Sequence, residues 1–282
     1  MKQLVVCSSL TSLAYLNKPD NIRILPMKVV IECHESEQHT DLAHDDLIKL
    51  MHSNPKLSTR TLAPNDIDLL DFFYSLIKED VKEVLVIAPS QHASETLKHI
   101  EAVRGTLSSR IIIHLYDSRS ILHGEAVLGL AAAKLMEQGV TISDMVPILD
   151  KLRQDSHMYL TTDSLRNPVR AGRVSKTSGL MGGLLDIKPL VRLNDDGAIK
   201  IFEKIRGIDK SLKRLAELTH AVQRKERTQL YIMANPNNPY ISDLKTLLHL
   251  KGMTALAVVP IASSAISQMG INAIGTFTYT PH

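Results

Sequence analysis

Short runs rich in β-branched residues recur along the first half of the chain, at Leu4 to Ser8, Ile22 to Ile31, Glu83 to Ala88 and Arg110 to Tyr116, and stretches with helical spacing separate them. Pro64, suited to a first helical turn, precedes apolar residues at Ile67, Leu70, Phe73 and Ile77, and Gln91 to Val103 reads as a further helix. Such alternation restricts the chain to an α/β layer with largely parallel strands. A long helix from about Ser120 to Gln138 stops at Gly139, and another opens at Ile142 and runs to Arg153.

A second half begins near His157 to Thr161. Lys188 to Leu193 and Ala198 to Lys204 flank Asn194-Asp-Asp-Gly197, which predicts a hairpin whose turn uses glycine for positive φ. Alternation then resumes with a helix from Asp209, a strand Thr228 to Ala234, a helix Ser242 to Leu250, and strands near Ala255 to Pro260 and Ile274 to Thr280. The expectation is two α/β domains, residues 1–156 and 157–282, each a mostly parallel sheet flanked by helices.

The core has to be aliphatic, because aromatic residues make up 4% of the chain and there is no Trp. Leu, Ile, Val, Ala and Met must fill it, and Met adapts to irregular shapes. The 33 basic and 30 acidic residues give a net charge of +3 and are dispersed, which argues against nucleic acid as a partner. The basic run Lys210 to Arg227 reads as a helix with Leu212, Leu215, Leu218 and Val222 inward and its charges in water. Two cysteines, Cys7 and Cys33, are too few for a disulfide framework and point to a reduced, cytoplasmic setting. The first residues are too short an apolar run for a signal peptide, and no stretch of about 18 uninterrupted apolar residues predicts an integral membrane segment.

The sequence lacks a G-x-S-x-G elbow, a phosphate loop ending in Gly-Lys-Ser/Thr, H-E-x-x-H and a dinucleotide fingerprint, so a binder without cofactor is favoured over an enzyme. Cys33, His34, His39, His44, Asp45 and Asp46 supply metal-type donors, but their spacing is not that of a zinc site. Ser90 and Ser94 follow the strand that ends at Ala88, where open α/β sheets place ligand groups, although Ser90 also suits a helix cap.

Arg170-Ala-Gly-Arg-Val174, Gly182-Gly-Leu-Leu-Asp-Ile-Lys-Pro189, Asp195-Asp-Gly197 and Lys204-Ile-Arg-Gly207 come in an order that resembles the central signature of the DegV family. Ile24 to Val30, Glu83 to Ile87 with Ser94 and Thr96, Asp117-Ser118 with Gly124, and Gly270 to Gly275 extend the resemblance over nearly the whole chain. The resemblance implies a non-enzymatic bacterial carrier with a ligand cleft at or near the domain interface. Its ligand would be a long-chain fatty acid, held for the catalytic subunit of fatty acid kinase, which makes acyl-phosphate for phospholipid metabolism.

By family order, Ser94 matches the second Ser of Ser-x-x-x-Ser-Gly-Thr, Thr59 or, two residues on, Thr61 matches a carboxylate-contacting Thr, and Arg173 matches the Arg of Gly-Gly-Arg. A guanidinium suits a carboxylate because its planar fork donates paired hydrogen bonds. Gln268 stands where the family has His, and Lys204 and Arg206 would face the kinase. The chain departs from the family pattern at Cys7-Ser8-Ser9, at Ser94-Glu-Thr96, and at Gln268 with Gly270-Ile-Asn272. Gln268 can donate but cannot hold a proton, and Glu95 would repel an anion. Cys7, Glu95 and Gln268 therefore leave open a related scaffold that serves a different small ligand as a sensor or enzyme. Metal-dependent activity through His34, His39 and His44 is a further alternative.

Overall fold

The computed structural model describes residues 2–33, 36–40, 44–54, 57–170, 186–223 and 227–281. In chain order the elements run from β1 (Lys2–Ser8) through a short 3-10 turn at Ser12–Tyr15 to β2 (Ile22–Leu25), β3 (Lys28–Cys33), β4 (Ser36–Thr40), α1 (His44–Ser53) and β5 (Ser58–Leu62). Next come α2 (Asp66–Lys78), β6 (Val81–Ala88), α3 (Thr96–Leu107), β7 (Ile112–Asp117), α4 (Leu122–Glu137), α5 (Ile142–Gln154), β8 (Ser156–Thr161) and α6 (Arg166–Arg170). The last group is β9 (Ile187–Leu193), β10 (Ile199–Arg206), α7 (Ile208–Val222), β11 (Gln229–Ala234), α8 (Ile241–His249), β12 (Ala257–Val259), α9 (Ser263–Met269) and β13 (Ile274–Tyr279). Among the described residues, no helix is long and apolar enough to cross a membrane.

The chain divides into two compact units that differ from the consecutive segments 1–156 and 157–282. One comprises Met1–Met27, Ala63–Asp155 and Asp195–Ala198; the other comprises Lys28–Leu62, Ser156–Asn194 and Ile199–His282. The physical reason is Pro26. Ile22 to Ile31 reads as one strand in the sequence, but proline cannot donate to a ladder, and the run splits into β2 and β3, which join different sheets.

In the first unit the sheet order is β2-β1-β6-β7 and every pairing is parallel. Leu4, Val6, Val84 and Val86 face a core built with Leu69, Phe73 and Leu76 of α2 and Ile100, Val103 and Leu107 of α3. The alternate residues of β1 face α4, and there Gly129 is required: a Cβ at that position would fall on the Cys7 Sγ. The helix α2 starts with a reciprocal cap, in which the Asn65 side chain accepts from Asp68 N at 3.0 Å and the Asp68 carboxylate accepts from Asn65 N at 3.1 Å.

The second unit keeps the α/β class but not the expected parallel sheet. Its six strands lie in the order β10-β9-β8-β13-β11-β12, and only β11 with β12 is parallel. Antiparallel pairing follows from the connections, since the β9–β10 hairpin needs only a tight turn and no crossover helix. Leu212, Leu215 and Ala216 of α7 and Leu244 and Leu248 of α8 pack on Leu190, Leu230, Ile232 and Ile274. A separate antiparallel sheet, β4-β3-β5, carries α9 beside β5.

Candidate functional site

The first unit places its polar residues at the carboxyl ends of its strands. Strand β1 is followed in the sheet by β2 on one side and by β6 on the other, so the order reverses between β1 and β6. Open parallel sheets bind ligands in the crevice at such a reversal. Ser8 ends β1, Ser90 lies two residues beyond β6, and Ser118 follows β7. Between β7 and the start of α4 two non-glycine residues lie in the left-handed region, Arg119 in the loop at φ 44° and Leu122, the first residue of α4, at φ 54°. Strain of this kind collects at functional loops.

Three buried ionisable groups sit behind this edge. Glu125 accepts from Ser8 N at 2.7 Å and from Ser8 Oγ at 3.0 Å, and burial pushes its carboxyl up to about 8 despite both bonds. His123 Nδ1 lies 2.9 Å from Ser12 Oγ, and burial lowers the imidazole to about 4. Burial, with the Glu125 charge adding to it, raises the Cys7 thiol and keeps it unreactive. Neither Glu125 nor His123 stood out in the sequence; a Glu in the first turn of an apolar helix was the only available signal.

Ser90 neither caps a helix at Gln91 nor stands free, because α3 begins at Thr96. Its hydroxyl donates to Gly197 O at 2.9 Å and accepts from His92 N at 3.2 Å. Gly197, at φ 84°, has no alternative residue, since a Cβ there would lie 2.8 Å from Arg119 Cα. Ser94 is half-buried just before α3, 2.8 Å from Thr96 Oγ1, and accepts from Thr96 N at 3.3 Å. The Glu95 carboxylate is exposed and turned to Lys98 at 3.5 Å, so a solvated cation offsets its charge.

In the second unit the expected head-group residues gather on α9. Thr59 and Thr61 share one face of β5, by the two-residue period of a strand. Thr59 is buried and donates to Ser267 O at 2.7 Å; Thr61 is half-buried, donates to Ser264 O, and lies 3.1 Å from Ser267 Oγ. Gln268 Nε2 reaches Ser264 O at 3.4 Å. The segment Ser58 to Thr61, open to a turn or cap reading from sequence, is thus a strand whose hydroxyl protons are committed to carbonyls of α9. As placed, these hydroxyls present lone pairs, so an anion would have to compete with the Ser264 carbonyl for the Thr61 proton.

Lys204 and Arg206 are exposed on one face of β10. Arg173 lies outside the described residues, as do His34 and the side chains of Cys33, His39 and His44.

A family model described as "Uncharacterised protein, DegV family" matches residues 3–280. A DegV domain-containing protein of Staphylococcus aureus (strain COL) is 24% identical over 280 residues, covering 97% of this chain and 98% of its own. The crystal structure of a fatty acid binding DegV family protein from Streptococcus agalactiae superposes with a TM-score of 0.84 at 20% identity over 100% of both chains. A stearic acid-binding protein from Eubacterium ventriosum gives 0.82 at 18% identity, over 98% of this chain and 97% of that one. These structures share the fold.

Proposed function

The chain belongs to the DegV family, and on that premise we propose that it is a cytoplasmic, non-enzymatic carrier of a long-chain fatty acid. The observation that carries this reading is full-length likeness to proteins described as binding fatty acids. The tail supplies affinity, since each buried CH₂ contributes about 0.8 kcal/mol, and a few polar groups orient the head. Family order assigns Ser94, Thr59, Thr61, Arg173 and Gln268 to the head group. Lys204 and Arg206 serve the docking surface for a fatty acid kinase subunit, which phosphorylates the carboxylate for phospholipid synthesis.

A second reading has a specific observation behind it. Thr59 and Thr61 offer lone pairs, and Gln268 replaces a group able to carry charge, which favours a ligand head that donates a hydrogen bond, on a scaffold kept as a sensor or enzyme.

Comparing a fatty acid with its alcohol on delipidated protein separates the two. For the carrier, Arg173→Ala weakens acid binding by about tenfold or more and leaves the alcohol nearly unchanged, because a guanidinium holds an anion far better than a hydroxyl. Alcohol bound more tightly than acid by the unaltered protein would instead establish the second reading. If neither ligand binds the folded protein, lipid carriage itself is wrong. Ser94→Ala is expected to weaken acid binding by roughly tenfold with little change in melting temperature; a large fall in melting temperature with unchanged affinity would reassign Ser94 as a brace for the start of α3.

A further inference from the structure

A cleft in the second unit, apart from every residue assigned above to the head group, has the make-up of a ligand site. Its volume is about 200 Å³, room for about seven groups the size of a water molecule. Met51, Leu57 and Ile271 supply its apolar lining, and Asp163 and Asn167, with His52, Asn54 and Ser164, supply its polar lining.

Among the described residues the Asp163 carboxylate has hydrogen-bond partners but no lysine or arginine to neutralise it. Asp163 Oδ2 accepts from Asn272 Nδ2 at 2.7 Å, and Tyr240 shares a hydrogen bond with the same carboxylate. Both partners are neutral. The nearby cation, Lys188, donates to the Asp163 main-chain oxygen at 2.6 Å and pairs with Asp186 at 3.3 Å. Among the described residues no lysine or arginine pairs with the Asp163 carboxylate or lines the cleft.

The floor is unfinished as well. Gly270 and Ile271 form it, and Gly270 is held at φ 95°, where a Cβ would meet Asn167 Nδ2 at 3.4 Å and Thr162 Oγ1 at 3.6 Å. Thr162 Oγ1 is buried without a hydrogen-bond partner among the described residues. So is Asn235 Oδ1, whose own amide nitrogen donates to Ile271 O at 2.7 Å. Buried polar atoms are almost always paired, so orphans beside a cleft mark a place for a donor.

We propose that this cleft binds a short alkylammonium compound, with its ammonium on Asp163 and Asn167 and its alkyl part on Met51, Leu57 and Ile271. Among the described residues an anion finds no lysine or arginine here, and a hydroxyl head leaves the Asp163 charge unmet.

Three molecules with one alkyl part and different heads provide the test: n-butylammonium, n-butanol and butyrate, titrated into delipidated full-length protein and followed by the amide signals of Gly270 and the Asn167 side chain. The expected order of affinity is butylammonium, then butanol, then butyrate. Asp163→Asn should cost butylammonium about tenfold and leave butanol unchanged, since only a charged head gains from the carboxylate. Should loss of the Asn272 contact unfold that variant, Asn167→Leu replaces it and should weaken butylammonium while the protein stays folded. Saturation with palmitate should leave the butylammonium titration as it was. Butyrate binding as tightly as butylammonium, displacement by palmitate, or no shift at either signal would overturn the proposal.

Discussion

Replacing Gly275 by Ala should unfold the second unit under conditions that leave the unaltered protein native. Gly275 sits in β13 opposite Leu160 of β8, with β11 on its other side. A Cβ at this position falls on the Tyr159 carbonyl oxygen and the Leu160 Cδ2, and lies 3.0 Å from Leu160 Cγ. The Leu160 side chain could turn away, but Tyr159 O is main chain in the neighbouring strand, so relief requires moving β8. Overpacking in a core costs about 1–3 kcal/mol, and a clash with a central strand belongs at the upper end or beyond. Chemical denaturation should show a loss of about 3 kcal/mol. A loss below about 1 kcal/mol would mean that β8 and β13 yield far more easily than close-packed strands do.

The stability of the protein should fall as pH rises from about 6.5 to 8, and Glu125 should be the cause. Its folded value of about 8 lies above its ordinary 4.5. Between those values the folded chain holds a proton that the unfolded chain has released, so the stabilising contribution present at low pH is lost through the folded value. Between those two values the Glu125 contribution by itself falls by roughly 4 kcal/mol. His123 has the opposite sign. Its folded value of about 4 lies below 6.5, so the unfolded chain binds the extra proton and stability falls as pH drops from 6.5 toward 4. The two slopes oppose each other between about 4.5 and 6.5, and above 6.5 only Glu125 acts. Glu125→Gln, which keeps the shape of the neutral acid, should remove the decline above pH 6.5 and leave the variant more stable than the parent at pH 8.5. A parent protein equally stable at pH 6.5 and 8.5 would show that the carboxylate is solvated in a way its burial does not permit.

What could be read from the sequence follows how each segment is buried. Strands β1 and β6 are covered on both faces, so their residues form largely continuous apolar runs that stand out without any alignment. The helix α9 was missed because it has seven residues, three of them serine, and too few apolar positions to show a period. Strand β5 was obscured for the opposite reason: Ser58, Thr59 and Thr61 are polar residues whose strand pairs with β3 and whose Thr59 and Thr61 hydroxyls bond α9. Sequence order could place Thr59, Thr61 and Gln268 in one candidate group, since the family resemblance carries them. It could not show where their protons point, because that depends on a helix about two hundred residues away in the chain. The reversal of strand order between β1 and β6 was equally hidden, since periodicity identifies strands but not their neighbours.

Each compact unit is assembled from three separate stretches of chain. Neither can therefore be excised as a contiguous gene fragment: a polypeptide ending at residue 155 would lack Asp195–Ala198 and would carry Lys28–Leu62 without the strands and helices of its own unit. A ribosome likewise cannot release a finished first unit early, because its last stretch emerges only after residue 198 has cleared the exit tunnel. The order of synthesis obliges most of the chain to exist before either half is complete, so a premature stop anywhere before that point leaves two partial cores rather than one whole one.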